Sequence, residues 1–216
     1  SSKIATTNNR AAEFIKNGKY QEAINILEKN LNRASLFFPF RYNLGVAYMY
    51  LEKFPKALLH FEKAHLIVPE YSKTYLQIGY IYFLKNKDSI AIDYYRMALK
   101  RNKKDLNIIV LIGNIYFSRD QVEIAKKYYD EALRINHRYP NGLLGRAKIH
   151  FKKEEYIKAL VLLKSVHTDK EYDKEFHYYY AECSYKLRDY KNAAKHYEIL
   201  LKFKYDKFFI KYSPAL

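Results

Sequence analysis

Histidine, acidic and cysteine side chains are the residues of this chain that could bind a metal or catalyse a reaction. The seven histidines are dispersed, and a spacing of five does not place His60 and His65 on one helix face. Glu154 and Glu155 are adjacent, as in a solvated acidic turn, and Cys183 is the only cysteine. The sequence contains no glycine-rich phosphate loop, HExxH motif or nucleophile elbow. We therefore expect no catalytic residue, no metal site and no cofactor, and a protein that is not an enzyme.

Peptide binding is a second kind of chemistry, indicated by aromatic, aliphatic and amide side chains that recur at helical spacing. Apolar side chains three or four residues apart form a stripe along one helix face. The interspersed amide and lysine side chains can hydrogen-bond a peptide main chain or a carboxylate, while the aromatic rings hold apolar side chains. We call this set the groove stripe, and it comprises Tyr42, Asn43, Val46, Met49, Tyr50, Lys73, Leu76, Gln77, Tyr80, Phe83, Asn107, Val110, Asn114, Phe117, Asn141, Leu144 and Lys148.

The apolar members of the groove stripe have two interpretations. They could fill space between neighbouring helices, and for any single aromatic this is as good an interpretation as ligand contact. Packing between helices needs only one or two such positions per helix, whereas the segments around residues 42–50, 76–84 and 110–117 are apolar at nearly all of them. A helix that is apolar on nearly all sides is buried or exposes a patch that a partner covers. The stripe as a whole therefore predicts an amphipathic helix or an extended apolar peptide as ligand.

The helices that carry the groove stripe are predicted from an alanine that recurs every 34 residues. These marker alanines are Ala23, Ala57, Ala91, Ala125, Ala159 and Ala193. A large apolar side chain follows each alanine by four residues, and a small residue stands twelve residues before it in every period. Each period therefore predicts two short helices, with the small residue of the first facing the alanine of the second, because helices approach closely only where neither carries bulk.

Three segments make the sequence resemble the tetratricopeptide repeat family: GVAYMYLEKFPKALLHFEKAHLIVP (45–69), GYIYFLKNKDSIAIDYYRMAL (79–99) and GNIYFSRDQVEIAKKYYDEAL (113–133). The resemblance covers almost the whole chain. It implies an all-α fold, a right-handed superhelical solenoid of about six two-helix repeats in one domain over residues 4–207. The repeats would lie near residues 4–37, 38–71, 72–105, 106–139, 140–173 and 174–207.

The resemblance also implies where a partner binds. The first helix of each repeat lines the concave groove of such a solenoid, and the groove stripe lies on these first helices. The expected function is a non-enzymatic adaptor that binds a protein or peptide in the groove and assists the assembly or stability of a complex.

Some members of the family hold a partner's C-terminal carboxylate with lysine, asparagine and arginine side chains on three adjacent first helices. The matching positions in the first three repeats of this chain are Asn8, Ala12, Asn43, Lys73 and Gln77. Only Asn43 and Lys73 agree with that pattern. The resemblance therefore does not imply a chaperone-tail clamp.

The net charge of +16 leads to a competing prediction. Basic residues concentrate where one repeat passes to the next, and we call the following set the basic edge: Lys100, Arg101, Lys103, Lys104, Arg134 and Arg138. Such an edge favours an acidic protein or an anionic membrane surface. Nucleic acid is disfavoured, because these residues are not interleaved with aromatics on one face. A solvated lysine face that stabilises helix ends is the alternative interpretation.

The two ends of the chain carry separate expectations. The sequence begins Ser1-Ser2 without a methionine, so we expect a processed or truncated N terminus and leave open a signal or anchor upstream. No apolar stretch is long enough to span a bilayer, so membrane contact would be peripheral or made through that upstream segment. Residues 208–216 form an apolar tail that either caps the last repeat or docks into a groove, its own or that of a second copy.

Composition leaves the compartment open between the cytoplasm and a periplasmic or membrane-associated location. A single cysteine is compatible with a reducing or an oxidising environment. The bias towards lysine, tyrosine, isoleucine and asparagine, without tryptophan, indicates an AT-rich bacterial genome.

Overall fold

Helices account for the architecture of the chain. The computed structural model describes residues 2–166 and 174–203, and within these ranges the chain forms helices and no strand. The α-helices are α1 (Ser2–Lys16), α2 (Tyr20–Asn30), α3 (Phe38–Tyr50), α4 (Phe54–Ile67), α5 (Ser72–Leu84), α6 (Asp88–Arg101), α7 (Leu106–Ser118), α8 (Val122–Ile135), α9 (Pro140–Lys152), α10 (Tyr156–Lys164), α11 (Lys174–Lys186) and α12 (Tyr190–Phe203). A short 3-10 helix covers Leu31–Arg33. The predicted all-α solenoid of helix pairs is confirmed, while the predicted tail 208–216 lies outside the described residues.

Consecutive helices pack as pairs, and each pair occupies one 34-residue period. Contacts join α1 to α2, α3 to α4, α5 to α6, α9 to α10 and α11 to α12, and Gly113 of α7 meets Tyr129 of α8. The marker alanines of all six second helices are at most 2% exposed. The sequence period therefore locates the contact between the two helices of every pair.

The closest approach within a pair involves an aromatic ring rather than the marker alanine alone. A Cβ placed on Gly45 would lie 2.6 Å from the Phe61 ring, and one on Gly79 would lie 2.7 Å from the Tyr95 ring. Each ring belongs to the residue four positions after the marker alanine. The small residue thus makes room for this ring, and Gly79 also faces its marker alanine, because a Cβ there would lie 3.2 Å from the Ala91 carbonyl oxygen.

Every first helix ends in the same backbone motif. The second residue after the helix has a positive φ between 56° and 72°, and these residues are again 34 positions apart: Gly18, Glu52, Asn86, Asp120, Glu154 and Arg188. In the second of these turns, the Lys53 N–H donates to the Tyr48 carbonyl and the Glu52 N–H donates to the Met49 carbonyl, both at 2.9 Å. These are the two hydrogen bonds of a Schellman motif, which satisfies carbonyls that the helix end leaves unpaired.

The chain divides into two compact units, unit 1 (Ser1–Ile108) and unit 2 (Ile109–Leu216). The core of unit 1 is built from side chains such as Leu27, Phe40, Leu44, Tyr48, Phe61 and Tyr95, all of which are buried. The core of unit 2 is built in the same way, from Ile112, Tyr129, Leu143, Ala147, Ile149 and Leu163. Each unit thus has its own hydrophobic core.

The helices are short relative to a lipid bilayer. The longest of the described helices, α1, has 15 residues, whereas a spanning helix needs about 20 apolar residues. No helix in the described part of the chain combines the length and apolar character that crossing a membrane requires.

Candidate binding surface

The apolar members of the groove stripe in unit 1 lie on α3 and α5. All of these residues are half-buried, so each keeps part of its side chain accessible: Tyr42, Val46, Leu76, Tyr80 and Phe83. The Tyr80 and Phe83 rings are roughly parallel, with centroids 6.5 Å apart. This part of the stripe therefore combines packing with exposure, as both interpretations of the sequence allow.

Two other apolar members of the stripe in unit 1 do not share this half-buried state. Met49 is 4% exposed and belongs to the core. Tyr50 is 40% exposed and stacks on Tyr20 of α2, with ring centroids 4.7 Å apart. Met49 is thus placed for packing, and Tyr50 faces the preceding helix.

The stripe in unit 1 extends beyond the predicted residues through an aromatic cluster around Tyr42. The centroid of its ring lies 5.7 Å from that of Phe61 in the core, 5.7 Å from that of Phe38 and 5.4 Å from that of Tyr71. Phe38 and Tyr71 are half-buried and were not predicted. Phe38 stands four residues before Tyr42, so the helical spacing that selected Tyr42 also points to it. Burial raises the pKa of Tyr42 to about 12, so its hydroxyl stays protonated at neutral pH.

The amides predicted to hold a ligand in unit 1 hydrogen-bond neighbouring first helices. Asn43 Nδ2 donates to Asn8 Oδ1 at 2.9 Å, and Gln77 Nε2 donates to the Tyr42 hydroxyl at 3.5 Å. Lys73 and Asn107 are the remaining polar members, and Asn107 is exposed. Part of the predicted polar set therefore joins repeats to each other.

The stripe in unit 2 has a different character. Val110, Leu144 and Lys148 are buried, Asn114 and Phe117 are half-buried, and Asn141 is exposed. Asn114 Oδ1 accepts a hydrogen bond from the Tyr129 hydroxyl at 2.8 Å. The Lys148 ammonium lies 5.0 Å from the centroid of the Phe117 ring, a cation–π contact.

These residues of unit 2 form a pocket of about 170 Å³ on the first helices α7, α9 and α11. Its lining consists of Val110, Asn114, Asn141, Leu144, Gly145, Lys148 and Glu175. Lys148 Nζ lies 2.5 Å from Glu175 Oε1, which gives the buried ammonium a partner of opposite charge. The lining thus combines apolar side chains with amide and charged groups that can orient a ligand.

Gly145 and Glu175 are the lining residues that the predicted set did not contain, and Glu175 is the charged one of the two. It stands 34 residues after Asn141, at the position that Lys73 and Asn107 hold in earlier repeats. Extending that series by one repeat would have found it. Its absence from the predicted set hid the fact that the buried lysine of the pocket is neutralised.

The six residues of the basic edge are not equivalent. Lys100, Lys103 and Lys104 in unit 1 are all exposed, and so is Arg138 in unit 2. Arg101 instead donates from Nε to the Pro69 carbonyl at 2.9 Å, and its guanidinium lies 4.2 Å from the centroid of the Tyr75 ring. Arg101 therefore packs α6 against the turn before α5, unlike the lysines that flank it.

Buried histidines are the remaining titratable groups of note. Burial lowers the pKa of His60 to about 4, assisted by the positive charge of Arg41. Burial also lowers the pKa of His196 to about 4, and its Nδ1 lies 2.8 Å from Nδ1 of His177. Within residues 2–166 and 174–203, no three histidine, cysteine or acidic side chains converge as a metal site would require.

Family models described as tetratricopeptide repeat match residues 39–71 in one case, and residues 72–105 and 106–138 in another. These three matches coincide with the pairs α3/α4, α5/α6 and α7/α8. No match was found among curated protein sequences.

Solved structures of several proteins share this fold over most of their length. The chain is 18% identical to PilF of Pseudomonas aeruginosa, with a TM-score of 0.75 over 96% of this chain and 94% of that one. It is 16% identical to PilW, a type IV pilus biogenesis factor, with a TM-score of 0.75 over 96% of both chains. A tetratricopeptide repeat protein from Parabacteroides merdae is 16% identical, with a TM-score of 0.72 over 100% of this chain and 82% of that one. At such identities the likeness shows the fold.

Proposed function

The chain belongs to the tetratricopeptide repeat family, and we propose that it is a non-enzymatic scaffold that holds a peptide or amphipathic helix of a partner protein on its first helices. Repeats of this family are a protein-binding scaffold type, which supports the general part of the proposal. The specific part is the surface, namely the groove stripe.

The observation that carries the proposal is the pocket on α7, α9 and α11. Five of its seven lining residues, Val110, Asn114, Asn141, Leu144 and Lys148, belong to the groove stripe. Three consecutive first helices thus contribute to one concave feature, and ligands bind preferentially in concave features whose polar groups converge. In unit 1 the half-buried rings of Tyr42, Tyr80 and Phe83 supply aromatic surface of the kind that anchors a partner.

Assembly of a larger complex is the cellular task that we attach to this scaffold. PilW is described as a type IV pilus biogenesis factor, so a chain of this fold and length serves an assembly process there. A scaffold without catalytic groups can assist assembly by holding one component while another docks.

Selection from a displayed library of short random peptides tests the proposal even while the partner is unidentified. We expect selected peptides that perturb the backbone amide resonances of α3, α5, α7 and α9 rather than those of the second helices. Peptides that perturb only the second helices, or a library that yields no binder, would contradict the groove proposal.

The competing candidate is binding through the basic edge, which the cluster of Lys100, Lys103 and Lys104 favours. A triple Lys→Glu variant at these positions leaves the packed Arg101 intact. We expect it to keep the affinity of the selected peptides, because exposed charges change association rate more than affinity. If its affinity falls and wild-type binding weakens steeply with salt, the edge is the binding surface.

A further inference from the structure

The pocket on α7, α9 and α11 is close to neutral although it contains charged groups. Lys148 and Glu175 are the charged side chains in its lining, and they lie 2.5 Å apart. A ligand carboxylate would be attracted by Lys148 and repelled by Glu175. A ligand ammonium or guanidinium would be attracted by Glu175 and repelled by Lys148. The attraction to one side chain would therefore not fully compensate the free energy of removing either kind of ion from water. The charge balance therefore favours a neutral polar group.

The hydrogen-bonding groups of the pocket include both donors and acceptors. Because Asn114 Oδ1 accepts from the Tyr129 hydroxyl, the Asn114 amide is held in place and its NH2 group is left as donor. Asn141 is exposed at the rim and offers a carbonyl and an NH2 group. A ligand that both donates and accepts matches this arrangement, whereas a carboxylate only accepts and an ammonium only donates.

The size of the pocket limits what enters it. About 170 Å³ corresponds to about five or six water volumes. Gly145 lines the pocket, and its missing side chain makes room for the Tyr129 ring, because a Cβ there would lie 2.5 Å from that ring. The buried side chains of Val110 and Leu144 provide apolar contact for methylene groups. The short side chain of asparagine or glutamine fits such a volume.

We propose that this pocket is a subsite for a neutral carboxamide side chain, asparagine or glutamine, of a bound peptide. The inference rests on the proposed function, since it specifies which residue the peptide places here. It goes beyond that function by assigning a sequence preference to one pocket.

Titration with acetamide, acetate and methylammonium at constant ionic strength tests the subsite directly. The backbone amide of Gly145 and the side-chain amide of Asn141 report binding by NMR. We expect saturable shifts with acetamide, and affinities for acetate and methylammonium that are at least about tenfold weaker. Tightest binding of acetate or methylammonium, or no saturable shift with acetamide, overturns the proposal.

Asn141→Ala and Asn107→Ala form a matched pair of variants. Both residues are exposed and occupy the same position on consecutive first helices, but only Asn141 lines the pocket. We expect Asn141→Ala to weaken acetamide binding at least about fivefold, and Asn107→Ala to leave it unchanged. Equal effects of the two variants, or none, would overturn the assignment.

The peptide selection separates a failure of the subsite from a failure of the proposed function. Selected peptides that bind the first helices but show no asparagine or glutamine preference, together with no acetamide binding, overturn the subsite alone. Acetamide binding in the pocket without any peptide that binds the first helices overturns the proposed function.

Discussion

Tyr80 in unit 1 and Lys148 in unit 2 occupy the same position of the repeat, two periods apart, but their surroundings differ. Tyr80 is half-buried beside Phe83 and packs on the hydrophobic core of unit 1. Lys148 is buried, pairs with Glu175 and lies over Phe117. The 34-residue period thus places both side chains at the same position of the repeat and leaves their chemistry free.

The links between first helices in unit 1 are uncharged, since Asn43 bonds Asn8 and Gln77 bonds Tyr42. Charged links between repeats occur in both units: Arg101 lies 3.6 Å from Glu70 in unit 1, and in unit 2 Lys152 pairs with Asp120, and Lys153 pairs with Glu123 at 2.8 Å. Under the proposed function, the first helices of unit 1 supply aromatic anchoring surface and those of unit 2 supply polar selectivity.

The largest expected effect concerns what the two units share, their core. Ala91→Leu in unit 1 and Ala125→Leu in unit 2 should each lower the free energy of unfolding by about 1–3 kcal/mol or more, because both sites are fully buried. Thermal or denaturant unfolding measures this. Ala194→Leu, beside a marker alanine but exposed, is the control and should change little. If only one of the two core variants were destabilised, the units would not share one packing rule.

The next effect concerns the ion pair that distinguishes unit 2. Lys148→Met should cost about 1–2 kcal/mol of stability, since it removes the buried ammonium that lies 2.5 Å from the Glu175 carboxylate. A double-mutant cycle with Glu175→Gln should give a coupling energy of about 1 kcal/mol. The exposed pair Lys153 and Glu123 is the control, with an expected coupling below about 0.5 kcal/mol. Equal coupling energies for the two pairs would show that the Lys148–Glu175 pair stabilises the fold no more than an exposed ion pair does.

Low pH should destabilise both units, because each contains a histidine whose pKa is lowered in the folded state. The pKa of His60 in the folded chain is about 4, below the ordinary value near 6.5, so the unfolded state binds more protons between these values. The stabilisation is complete above pH 6.5 and is lost as the pH falls towards 4. We expect His60→Phe to lose roughly 1 kcal/mol less stability than wild type between pH 7 and pH 5. His196 in unit 2 should act in the same direction.

Unfolding of His60→Phe, wild type and His137→Gln at a series of pH values measures this effect. His137 is exposed and serves as the control, with the pH dependence of wild type. A His60→Phe variant that loses as much stability as wild type would show that His60 is not held neutral by burial.

The smallest effect concerns the turns, which are alike in both units. Gly18 has a φ of 72° with open space around it, so Gly18→Ala should cost at most about 1 kcal/mol, through backbone strain alone. Glu154→Gly in unit 2 should instead raise the free energy of unfolding, by less than Gly18→Ala lowers it. Denaturant unfolding measures both, with Asn17→Ala as the neutral neighbour. A cost for Gly18→Ala no larger than that of Asn17→Ala would argue against strain at this turn.

The sequence predicted helix pairing and the marker alanines because burial of small residues leaves a strict periodic pattern. It did not reveal the positive-φ turns as a set, since Gly18, Asn86 and Asp120 are residue types that favour positive φ but the other three positions carry glutamate or arginine. Lys100 and Arg101 look alike in sequence, and only the position of the Pro69 carbonyl and the Tyr75 ring separates them. The partner of Lys148 lies 27 residues away on another helix, a contact set by packing between repeats.

The binding affinity of a selected peptide for Tyr80→Ala tests the central claim, that the first helices hold the partner. We expect the affinity to fall by about 1–4 kcal/mol, as truncation of an anchoring aromatic does, with a smaller loss of folding stability. Leu66→Ala removes a 77% exposed apolar side chain from the second helix α4 of the same unit and should leave the affinity unchanged. If Tyr80→Ala keeps full affinity while the Lys100, Lys103 and Lys104 charge reversal abolishes it, the groove stripe is not the binding surface and the basic edge is.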